Sequence, residues 1–140
     1  MIRSASALVA AAALLACLAI VPREAHAGAA VTFSAAQVAA GSKAYTQNCA
    51  SCHGAALGGG AGPALTGASF KTASSFSPST VGGALTYVAK NMPLTAPGSL
   101  THDQYVAILA FILSKNGYKP SAAALTYSAA LASKAPLETP

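Results

Sequence analysis

Cys49-Ala50-Ser51-Cys52-His53 is the stretch on which the fold turns. Two thiols stand three residues apart and an imidazole follows at once. Three chemistries use such a group. A redox disulfide of thioredoxin type needs a strand ahead of it and a βαβ pattern, and neither is visible here. A structural zinc site needs four protein ligands. After these three residues only His102 could serve as the fourth, and no second C-x-x-C is present. The third is attachment of a prosthetic group through both sulfurs.

The C-x-x-C-H spacing is the attachment signature of c-type haem. At the end of a helix, two thiols at this separation reach the vinyl groups on one side of a porphyrin. The next residue, His53, is then delivered beneath the iron as its proximal ligand. A thioether is the expected distal partner in an electron-transfer haem. Beyond the first 27 residues Met92 is the only methionine. It lies 39 residues after His53, in Lys90-Asn91-Met92-Pro93-Leu94, where Pro93 removes the helical option for the chain. Met92 is therefore the expected distal ligand. His102, the fallback, reads as an exposed residue in the first turn of the last main helix. One covalent haem c is the expected cofactor, with Cys49 and Cys52 as its thioether anchors.

Upstream, residues 1–27 read as a secretory signal. Arg3 gives a positive start, an apolar stretch runs from Ala5 to Val21, and Ala25-His26-Ala27 has the small-x-small form of a cleavage site. A transmembrane anchor is the competing reading, but the stretch is short for a span. Leu14-Leu15-Ala16-Cys17 also has the form of a lipidation site at Cys17, although the apolar run from Leu18 to Val21 argues against it. Cleavage leaves 113 of the 140 residues, in one domain over 28–119 with an Ala/Pro-rich tail over 120–140. The expected location is the periplasm, with no integral membrane segment after cleavage.

Composition narrows the function. Charged residues make up 8% of the chain and hydrophobic ones 54%, and the formal net charge is +5. Beyond residue 27 six scattered lysines face only Asp103 and Glu138, and no arginine remains. Nucleic-acid binders use arginine forks and clustered charge, so no nucleic-acid partner is expected. Two acids in unrelated places give no pair for acid–base catalysis, and no small-molecule substrate is expected. A modest positive surface suits an acidic protein partner, with Lys71 and Lys90 as candidate docking residues.

The scaffold reads as all-α, with three or four helices and long loops. Ser34-x-x-Gln37 and Thr101-x-x-Gln104 are capping boxes, and Phe33/Val38 and Leu100/Tyr105 are their hydrophobic staples. They open helices expected over about 35–48 and 102–116, the second closed by Gly117. Gly41 weakens the first helix by about 1 kcal/mol relative to alanine, so it implies close approach of another helix. A third helix is expected from Ser77-Pro78 to about Lys90. The glycine-rich loop over 54–77 suits tight folding beside a large flat ligand, with Pro63, Leu65, Phe70 and Phe76 as apolar walls and Tyr87 reaching the same site from the following helix. After Pro120 a weak helix over 121–133 is conceivable, and the tail is expected to lie on the surface or stay mobile.

Gly41-x-x-x-Tyr45-x-x-x-Cys49-x-x-Cys52-His53, Gly62-Pro63-x-Leu65-x-Gly67, Met92-Pro93 and the last apolar helix together resemble the class I cytochromes c over about residues 34–117. The resemblance implies the cytochrome c fold. It places Gly41 and Tyr45 against the last helix near Tyr105 and Leu109. It also makes the Pro63 carbonyl the acceptor of the second imidazole N–H of His53. Ala55-Ala56-Leu57-Gly58-Gly59, Pro97-Gly98-Ser99-Leu100, Ala110-Phe111-Ile112-Leu113 and Asn116-Gly117 look like the small cytochromes associated with quinoprotein alcohol and sugar dehydrogenases. Phe76 stands where that pattern has tryptophan. The resemblance implies a single-electron carrier. Its donor would be a dehydrogenase dependent on pyrroloquinoline quinone, and its acceptor a terminal oxidase or another cytochrome of the respiratory chain. The alternatives are a haem subunit held permanently in such a dehydrogenase, and an open-site haem enzyme or gas sensor in which Met92 leaves the iron free.

Overall fold

The structure, a computed structural model, describes residues 31–73 and 79–137. The signal reading at 1–27, Cys17, Phe76, Ser77-Pro78 and Glu138 lie outside the described residues. Among the described residues the chain is helical: α1 Ala35–Asn48, α2 Ala50–His53, α3 Gly67–Lys71, α4 Val81–Asn91, α5 His102–Lys115 and α6 Tyr127–Ala132. Three are long, and α2, α3 and α6 are single turns or little more.

Both capping boxes form. Ser34 Oγ accepts from the backbone N–H of Gln37, and the Gln37 side chain accepts from the N–H of Ser34. Thr101 and Gln104 repeat the arrangement at the start of α5. A cap of this kind is worth about 1 kcal/mol. Helix α5 ends at Lys115 with Asn116 as its C-cap, followed by Gly117 at φ 100°. Every residue from Tyr105 to Leu113 is buried, so α5 is the central element.

Helix α1 crosses α5 at Gly41. A Cβ there would run into the carbonyl of Ala107 and reach Phe111 Cβ at 3.0 Å. The Tyr45 ring sits 5.4 Å from that of Phe111. The seam of α5 is thus Ala107–Phe111, not the expected Tyr105–Leu109. Tyr105 and Leu109 lie on another side of the same helix and serve the site.

Helix α4 starts at Val81 rather than near Pro78, because Thr80 supplies the cap: its Oγ1 accepts from Gly83 N–H at 3.1 Å. Residues 120–137 lie on the surface of the body, mostly exposed, and are fastened to it by a few buried side chains. Leu125, Ala130, Ala135 and Leu137 are buried, the last completely. The Gln37 amide pairs with Leu125 at both ends, donating to its carbonyl at 2.7 Å and accepting from its N–H at 2.9 Å. The expected weak helix narrows to α6.

Candidate haem site

The site is assembled from the end of α1, the loop that follows α2, the end of α4 and one side of α5. Helix α1 breaks at Cys49, at φ −129° and ψ −30°. The turn restarts as α2, with His53 N–H donating to the Cys49 carbonyl at 3.0 Å. The break sets Cys49 half-buried, Cys52 exposed and His53 buried, with both thiols free. Burial pushes the Cys49 thiol above its ordinary pKa, and neighbouring Cys52 adds to the shift.

The glycine loop then folds back on the motif. Gly59 N–H donates to the His53 carbonyl and Gly62 N–H to the Cys52 carbonyl, each at 2.9 Å. A Cβ on Gly62 would meet His53 Cε1 at 2.8 Å, so a bare backbone is what lets the loop lie on the imidazole. Leu57, 2% exposed, takes φ 60°, rare for a leucine. It is held there by its N–H to the Gly54 carbonyl and by the N–H of Leu65 on its own carbonyl.

His53 Nδ1 lies 2.8 Å from the Pro63 carbonyl. A carbonyl only accepts, so Nδ1 carries the proton, and the neutral ring in that tautomer keeps its lone pair on Nε2. Such bonding fixes the tautomer and orientation of a ligating histidine.

These elements enclose a cavity of about 370 Å³. Cys49, Cys52, His53, Pro63, Leu65 and Phe70 line it, as do Tyr87 and Met92, so every residue expected at the site that lies among the described residues meets there. Met92 closes α4 in extended conformation, at ψ 151°, as a residue before proline must. Its carbonyl accepts from Tyr105 Oη at 2.6 Å. Leu85, Ile108, Leu109 and Ile112 complete the apolar wall, and among the described residues no Lys, Arg, Asp or Glu lines the cavity. Two thiols, one imidazole with a free nitrogen, one thioether and apolar walls are the donor set and surroundings of a covalent haem. His102, the candidate fourth zinc ligand, instead stacks on Tyr127 with centroids 3.8 Å apart.

Three positioning groups are not evident in the sequence. Asn116 is buried. It donates to the Leu65 and Ile112 carbonyls, both at 2.9 Å, and accepts from Gly67 N–H at 3.0 Å, pinning the loop to the end of α5. Its place before Gly117 marks only a helix end. Tyr105 reads as a staple residue. Gly62 reads as one of a glycine run and as the start of the Gly62-Pro63 motif, and neither says that it lies on the imidazole.

The helical fold and this cavity define a class I monohaem c-type cytochrome, with one covalently bound haem c at the Cys49–His53 motif. The family model described as cytochrome c oxidase, cbb3-type, subunit III matches residues 36–112, more than half of the chain, and the chain belongs to that family. As a cytochrome c domain it is an electron-transfer protein. Among solved structures it is similar to the sulfane dehydrogenase SoxCD from Paracoccus pantotrophus, at 31% identity and a TM-score of 0.50. That match covers 65% of this chain and 49% of the other, so the chain spans about half the length of its match. No curated protein matches it. No helix among the described residues is long and apolar enough to cross a membrane.

Proposed function

We propose that the protein is a periplasmic carrier that moves single electrons between a dehydrogenase and the respiratory chain. Its haem is joined to Cys49 and Cys52 and ligated by His53 and Met92. The observation that carries this reading is the His53–Pro63 pairing at 2.8 Å, in a cavity that both thiols and Met92 also line. Pro63 holds the imidazole in the tautomer whose Nε2 is free to bind a metal. Bound there, the haem supplies one-electron cycling of its iron.

The chain's own part is to hold both ligands through the cycle and keep water away. Loop contacts hold His53, and α4 with Tyr105 holds Met92. Ile108, Leu109 and Ile112 form a dry wall, which favours the reduced state and raises the potential. Lys71 and Lys90 contribute to docking an acidic partner. A leader over residues 1–27 supplies export, consistent with haem attachment outside the cytoplasm. The donor is a dehydrogenase, of quinoprotein type on the sequence resemblance. A second reading, a haem subunit held permanently in a dehydrogenase complex, is favoured by the 31% identity to the SoxCD dehydrogenase structure.

Met92→Ala tests the ligation. The haem should stay attached, the near-infrared iron–sulfur absorption band should vanish and the potential should fall sharply. An unchanged band and potential would refute it. Rapid carbon monoxide binding by the reduced parent protein would instead favour the open-site alternative.

A further inference from the structure

The chain beyond Lys119 lies outside the family-matched residues 36–112, yet it is tied to the element that carries Met92. The first N–H groups of any helix lack partners within the helix. In α4 the tail's backbone supplies two of them. Val81 N–H donates to the Ala135 carbonyl at 2.9 Å, and Gly82 N–H to the Ser133 carbonyl at 3.1 Å. Gly82 is the seat for this contact: a Cβ there would stand 2.5 Å from the Leu131 carbonyl and 2.7 Å from that of Ser133. Just beyond, Leu137 N–H donates to the Ser79 carbonyl at 3.0 Å, with the Leu137 side chain fully buried. The tail is itself moored, by Gln37 at Leu125 and by Tyr118 Oη, which donates to the Pro136 carbonyl at 2.6 Å.

The start of α4 has weak intrinsic helix propensity and depends on its surroundings. Two of its eleven residues are glycines in the first turn, each costing about 1 kcal/mol of intrinsic helix stability. Short helices take their position from packing rather than propensity. Its far end is Met92.

We infer that the segment 121–137 is a brace for α4 and thereby a positioning element for Met92 at the iron. The inference rests on the Met92 ligation proposed above. Gly82 is a positioning residue: it acts through α4 and is not among the residues that line the cavity. Without the brace, α4 shifts and the sulfur spends less time on the metal.

Two variants of the haem-loaded protein test this. Gly82→Ala raises intrinsic helix propensity but fills the seat, so a purely local effect would strengthen α4. A chain ending after Pro120 removes the brace outright, and its circular dichroism and haem content show whether it folds. The readouts are the near-infrared iron–sulfur band and the rate at which carbon monoxide binds the reduced protein. In each variant that folds with haem attached, the band should weaken. The carbon monoxide rate should rise about tenfold, because it scales with the fraction of molecules whose sixth iron position is open. If the truncated chain does not fold, Gly82→Ala decides alone. Parental band and rate in Gly82→Ala, or in a folded truncated chain, would overturn the brace. A parent protein that itself lacks the band would overturn the Met92 ligation instead, which separates the two failures.

Discussion

Tyr105 donates its hydroxyl hydrogen to the backbone carbonyl of Met92 at 2.6 Å, tying the first turn of α5 to the last residue of the α4 arm. The contact crosses thirteen residues of sequence and acts on the main chain, leaving the Met92 sulfur uncommitted. Tyr105→Phe keeps the ring in its buried place and removes only this bond. The loss of stability should be about 1 kcal/mol, read as a shift in the denaturant midpoint. The iron–sulfur band should survive at neutral pH but give way to stronger exogenous ligands, such as imidazole, at lower concentration than in the parent. Equal imidazole affinity in the two proteins would show that the bond does not steady Met92.

Gly62 lies on the His53 ring, and a methyl there would stand 2.8 Å from Cε1 and 3.0 Å from Nδ1. Gly62→Ala must therefore tilt the imidazole or lift the loop off it, and either change breaks the 2.8 Å pairing with Pro63. Overpacking of this kind costs about 1–3 kcal/mol. The yield of haem-loaded protein should fall, and the recovered protein should have a lower melting temperature. Normal yield and melting would mean that the loop gives way freely at Gly62.

Asn116 serves three backbone groups at once: the carbonyls of Leu65 and Ile112 and the N–H of Gly67. Asn116→Ala leaves the Leu65 and Gly67 groups without that partner at the edge of the site. A buried group left unpaired costs about 1–3 kcal/mol, so the loss should exceed that of Tyr105→Phe. Hydrogen exchange should speed up at Gly67 and Leu65 before it does in α1. Uniform acceleration throughout the chain would argue against a local clamp.

Burial raises the Tyr118 phenol above its ordinary pKa. The unfolded chain therefore ionises first as pH rises. The stabilisation is full below the ordinary tyrosine value of about 10 and is lost as pH climbs from there through the raised folded value. Tyr118→Phe should cost about 1 kcal/mol at neutral pH through the lost bond to Pro136. It should also flatten the alkaline decline, as unfolding midpoints between neutral and strongly alkaline pH would show. A variant that declines as steeply as the parent would assign the alkaline loss elsewhere.

The parts of the site legible in the sequence are those where few residues compete for the role. One C-x-x-C-H and one methionine beyond residue 27 leave almost no choice, and the candidate residues among those described line one cavity. Helix starts at Ser34 and Thr101 are local chemistry, and local chemistry can be read locally. Orientation about the axis of α5 was not legible. The helix is apolar on nearly every side, so its periodicity carries no direction, and the seam with Gly41 lies at Ala107 and Phe111 instead of Tyr105 and Leu109. The start of α4 at Thr80 was not legible either, because Ser77-Pro78 carries the stronger local signal for a helix start. The tail's docking was invisible for another reason: its contacts are backbone carbonyls, and the matching feature is an absent side chain at Gly82, some fifty residues upstream.

The crossing of Gly41 beneath the Ala107 carbonyl also bears on the order of events in a newborn chain. The anchoring cysteines stand more than fifty residues ahead of Ile108, Leu109 and Ile112, which wall the pocket from the other side. Contacts so far apart in sequence form slowly. The half that carries the motif stays open until its distant counterpart docks over it, which leaves covalent capture an interval before the pocket shuts.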